Sequence, residues 1–141
     1  MRRLICVFIS LAFSGCSGTE SRFETIENGN ATAIPLTLQS VSGGRDGDSV
    51  NAAILFANGQ DSAELTITMH LGPPAECASG TYRATIAGMT SQGLVDCESL
   101  TYLGGQAATP SVGGTFILRS EQGPQAYRVR MPPTPIRRTT N

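Results

Sequence analysis

The sequence has no tryptophan and no lysine, a single histidine and only 6% aromatic residues. Charged residues make up 15% of the 141, with ten arginines against eleven acids and a formal net charge of −1. A balance so close to zero supplies no electrostatic reason to propose a nucleic-acid partner. Few charges with 40% hydrophobic residues also exclude a wholly disordered chain. No Cys-x-x-Cys redox motif and no Gly-x-Ser-x-Gly elbow occur. The glycine-rich stretch 104–114 lacks the lysine and the helix start of a phosphate loop. What the chain does have is 16 glycines and 8 prolines, a supply of turn formers that suits short strands better than long helices. Its length is that of one domain.

The N-terminus changes this arithmetic. Arg2 and Arg3 precede an apolar run, residues 4–13 (LICVFISLAF). Ten helical residues span about 15 Å, half of a roughly 30 Å hydrocarbon core, so the run is too short for a stable membrane span. A basic start, a short apolar region and then small residues have the layout of a secretory signal. The closing residues Phe13-Ser14-Gly15-Cys16 resemble the lipobox of bacterial lipoproteins, with Phe13 where leucine is commoner. The resemblance implies removal of residues 1–15 and lipidation of Cys16. Two or more acyl chains anchor a protein stably, whereas one binds only marginally. The resemblance further implies the outer membrane, facing the periplasm, because Ser17 rather than an aspartate follows Cys16. Removing residues 1–15 takes Arg2 and Arg3 with them and leaves 126 of 141 residues, with eight arginines against eleven acids and a charge of −3.

The four cysteines then divide by position. Cys6 leaves with the signal and Cys16 takes the lipid, so Cys77 and Cys97 remain as a pair in an oxidising compartment. Their expected disulfide closes a loop of 20 residues, worth about 3 kcal/mol in the chain-entropy model.

Along the mature chain, residues 16–33 are polar apart from Phe23 and Ile26, and are expected to form a flexible tether. From Ile34 the hydrophobic period becomes two. Residues 50–57 are nearly all apolar, the pattern of a strand buried on both faces. In residues 64–71, Leu65, Ile67, Met69 and Leu71 alternate with Glu64, Thr66, Thr68 and His70. A hairpin over residues 50–71, turning at Asn58-Gly59, is the clearest element. Further strands are expected at 80–88, 94–103, 115–120 and 126–131. Residues 132–141, with three prolines, are expected as a disordered tail outside the sheet. The expected fold is therefore all-β: an antiparallel sandwich or small barrel of about seven strands over residues 34–131, after a cleaved signal helix.

Reactive groups in the mature chain are few. His70, at a strand end on the polar face, has no companion motif for catalysis. Asp46-Gly47-Asp48-Ser49 with Asn51 has a calcium loop's alternation, but Val50 takes the third ligand position and no glutamate follows at the required distance. Asp61, Glu64, Glu76, Asp96, Glu98 and Glu121 stand in no hydrolase signature. Arg128, Arg130, Arg137 and Arg138 bias the C-terminus towards basic, a face that can meet lipid headgroups or an acidic partner. Together these point to a non-catalytic envelope lipoprotein without cofactor or metal, in which a disulfide-stapled β-domain binds a protein partner. The alternative is a small barrel that carries an apolar ligand or inhibits an exported enzyme.

Overall fold

The computed structural model of the chain describes residues 20–72, 74–104 and 110–138. Cys16, the lipobox and the signal segment lie outside the described residues. Ten strands are present: β1 (Arg22–Glu27), β2 (Asn30–Ile34), β3 (Thr37–Asp46), β4 (Ser49–Asn58), β5 (Asp61–His70), β6 (Glu76–Ile86), β7 (Met89–Leu103), β8 (Ser111–Ser120), β9 (Ala126–Pro135) and β10 (Arg137–Arg138). They form one sheet in the order β10-β3-β4-β5-β6-β7-β8-β9-β1-β2. β3 to β9 run as an antiparallel meander, β1 and β2 add a hairpin beyond β9, and β10 pairs parallel with β3.

Alternation dictates the interior. In β5, Ala63, Leu65, Ile67 and Met69 are buried, while Glu64, Thr66 and His70 are exposed. Their partners across β4, namely Phe56, Ile54, Ala52 and Val50, are buried on the same face. The same inward row continues through Tyr82, Val95, Phe116, Leu118, Tyr127 and Val129. These side chains make a single core.

The sheet curls into a half-barrel, and two observations require the curl. β4 is third in the order and β1 ninth, a separation of roughly 29 Å in a flat sheet at about 4.8 Å per strand. Yet the rings of Phe23 (β1) and Phe56 (β4) lie 5.7 Å apart. The connection from Ile34 to Thr37, at most about 11 Å long, joins β2 at one edge to β3 near the other. Ile136 likewise links β9 directly to β10 and is itself buried.

Several expectations are corrected. There are ten strands among the described residues, and they lie in one sheet, which replaces the sandwich alternative. The sheet begins at Arg22, inside the stretch expected as a tether. Phe23 fills the core, and Asn28-Gly29, with φ of 51° and 80°, makes the tight turn that returns the chain along β1. The tail also belongs partly to the sheet. β9 runs on to Pro135, and Pro132-Pro133 fall in the register shift between Met131 and Thr134, where missing N–H donors are tolerated. β4 is buried on one face only: Asn51 is exposed, and Ala53, Leu55 and Ala57 are half-buried. The expected hairpin forms with pairing from Ser49↔His70 to Asn58↔Asp61, so its two-residue loop is Gly59-Gln60, one residue later than expected.

Candidate functional site

Cys77 and Cys97 form a disulfide with Cα atoms 6.2 Å apart. Cys77 pairs with Met69 and Cys97 with Phe116, both core residues, so the disulfide lies on the inner face. It sits where β6 and β7 separate: their ladder stops at Thr81↔Leu94. A groove of about 600 Å³ follows this seam, between residues 74–79 and 95–100.

The other sequence candidates are spread over the surface. His70 ends β5, exposed, with its Nδ1 3.5 Å from the Ser49 hydroxyl. Asp46 and Asp48 flank Gly47 in the β3–β4 turn, where the carbonyl of Gly47 accepts from the Arg45 guanidinium at 2.8 Å. Asp61 accepts from the backbone N–H of Ala87 and steadies the β6–β7 turn. Asp96 pairs with Arg119 on the outer face. Glu64 and Glu121 share an outer groove of about 370 Å³ with Arg83 and Gln92. Among the described residues, no group of three or more His, Cys, Asp or Glu side chains converges to hold a metal ion.

A more organised arrangement lies on β1 and β9. Glu24 is buried, its Oε1 accepting from Arg128 Nε at 3.1 Å and lying 3.0 Å from Nη2 as an ion pair. This charge-assisted pair ties two strands that are 104 residues apart in sequence. Two positions along the same ladder, Arg22 stands directly opposite Arg130, whose other neighbour is Thr115 on β8. Arg22 Nη1 is 4.0 Å from Glu24 Oε2, a marginal contact. The two arginines open onto a groove of about 510 Å³ at the end of the half-barrel where the described chain begins, with Glu20, Thr101 and Pro132 in its walls. Arg128 and Arg130 share the outer face, as the alternation in 126–131 implies. Arg137 and Arg138 lie apart from them, exposed on the β3 edge. Arg22 has no sequence signature. The Asn28-Gly29 turn dipeptide is the one local signal that could have placed it on a strand.

No family model, no curated protein and no solved structure matches the chain.

Proposed function

We propose that the protein is an envelope lipoprotein, held by a lipid on Cys16 at the outer membrane facing the periplasm, whose β-domain binds a protein partner and performs no catalysis. The observation that carries this reading is where the sheet begins. Arg22 opens β1 six positions after Cys16, and Phe23 is already in the core. A link of six residues reaches at most about 20 Å, so a lipid on Cys16 would hold the domain close to the bilayer.

The packed interior favours a surface role over carriage of apolar cargo. Ile54, Phe56, Leu65, Ile67, Phe116 and Leu118 fill the curl with no measurable exposure. The partner surface most open to pairing is β2. It bonds to β1 on one side, stands at the sheet edge on the other, and exposes residues 30–33. An unpaired edge of this kind accepts an extended strand from another protein.

Cell fractionation with lipid labelling tests the anchor. Cys16→Ala is expected to abolish labelling and to move the protein out of the membrane fraction or leave it unprocessed. Labelling that persists in this variant overturns the proposal.

A further inference from the structure

We propose that Arg22 and Arg130 form a phosphate-binding site that takes the phosphodiester of an anionic phospholipid headgroup. Two arginines directly opposite on neighbouring antiparallel strands repel each other, an arrangement that disfavours the pairing unless an anion lies between them. The carboxylate within reach does not serve. Glu24 is committed to Arg128 by a hydrogen bond of 3.1 Å and an ion-pair contact of 3.0 Å, and meets Arg22 only at 4.0 Å. Arg130 has no ion pair among the described residues, and both arginines are exposed.

The remainder of the groove suits the same ligand. Thr115 lies beside Arg130 in the β8–β9 register, and Thr101 is on the facing wall, which gives two hydroxyl donors. Glu20 is the one acid in the wall. Two guanidiniums against one carboxylate leave a single positive charge, the complement of a phosphodiester's single negative charge. Guanidinium forks match phosphate oxygens in geometry as well as in charge.

The source of the phosphate follows from position, and this step rests on the lipoprotein reading. Arg22 lies six residues after Cys16, so an acylated N-terminus brings the groove within about 20 Å of headgroup phosphates. The site would fix the orientation of the domain on the bilayer and, with it, the direction in which the free edge of β2, beside β1, faces.

Vesicle partitioning of the full chain carrying Cys16→Ser tests the site without an acyl chain. Vesicles of equal parts phosphatidylglycerol and phosphatidylcholine are compared with pure phosphatidylcholine. The ratio of the two partition constants removes apolar binding common to both vesicles, and comparing that ratio between variants removes the anionic preference of Arg2 and Arg3, which all of them share. Each basic residue near an anionic surface contributes about 1 kcal/mol, so the R22Q/R130Q double variant is expected to lower the ratio about thirtyfold. Each single variant should lower it about fivefold. R83Q/R119Q removes the same charge elsewhere on the barrel and is expected to change the ratio less than about threefold. Circular dichroism checks that the variants fold.

Inorganic phosphate should compete with the mixed vesicles more strongly than sodium chloride at matched ionic strength. Equal losses in the two double variants overturn the site. So does inorganic phosphate binding at the arginine pair without any preference for phosphatidylglycerol. The absence of any lipid label on the unsubstituted chain, or a label that persists in Cys16→Ala, with the vesicle preference intact strikes the lipoprotein reading alone. The reverse pattern strikes the phosphate site alone.

Discussion

Tyr127 shows how single residues tune the interior. Its ring lies between Phe23, at 5.3 Å between centroids, and Tyr82, at 6.2 Å. Its hydroxyl accepts from the Gln125 amide at 3.0 Å. Burial raises the phenol above its ordinary value of 10.0; the Ser91 hydroxyl pulls it back down, and the nearby Tyr82 adds to the rise. Folding therefore favours the neutral phenol. That contribution to stability is whole below about pH 10, and is lost as pH rises through the raised folded value. Thermal unfolding followed from about pH 8 to pH 12 is expected to fall more steeply for the native chain than for Tyr127→Phe. The variant loses about 1 kcal/mol at neutral pH with the Gln125 hydrogen bond. Parallel curves for the two proteins would mean that Tyr127 titrates as it does in the unfolded chain. Glu24 and Arg128 illustrate a different lesson at the same scale. Neither has a local signal, because the pair is made by strands that meet only after the sheet has curled.

Among the elements, the seam between β6 and β7 depends most on a covalent bond. Beyond Thr81↔Leu94, residues 76–80 are paired only with β5, and residues 95–103 only with β8. Register shifts at Thr68/Met69 and Cys97/Ser99 flank the gap. The disulfide crosses it in place of ladder hydrogen bonds. Replacing both cysteines, Cys77→Ser with Cys97→Ser, is expected to cost about 3 kcal/mol, or roughly 10 °C in Tm. Hydrogen exchange should quicken first at residues 76–80 and 95–99, ahead of β4 and β5. Uniform acceleration along the sheet would mean that the bond acts only by restricting the unfolded chain. The disulfide partners and the strands from β3 to β9 were legible in the sequence, because period-two alternation and an even cysteine pair are local signals. β1 and β2 were not. Residues 30–33 are exposed and carry no hydrophobic rhythm, and the acid of β1 is buried by partners far along the chain. The prolines of β9 concealed only its last residues, 132–135, for a related reason: proline argues against a strand unless a bulge receives it, and the bulge belongs to the pairing. Of the basic groove, Arg130 stood out in the sequence, whereas its pairing with Arg22 is set by register.

For the whole molecule, the question is what holds the two ends of the curled sheet together. The Phe23–Phe56 contact joins strands six places apart in the order, and Phe23 also packs on Tyr127. Two short chain links, through Leu36 and Ile136, bury their own side chains beneath the curl. If closure of the sheet is part of one cooperative fold, removing the Phe23 ring destabilises every strand and not β1 alone. Phe23→Ala is expected to lose about 3–5 kcal/mol, a large share of the 5–15 kcal/mol typical of a domain. Urea unfolding monitored by circular dichroism and by tyrosine fluorescence should then give coincident transitions at a lower midpoint, with the slope unchanged. A loss below about 1 kcal/mol, or a separate early transition, would make β1 and β2 an appendage to a sheet that is stable without them. In that case the lipid proposed on Cys16 would not fix the position of the core relative to a membrane. Under the cooperative outcome, a lipid on Cys16, as proposed, would hold the opposite wall of the half-barrel in place through Phe23.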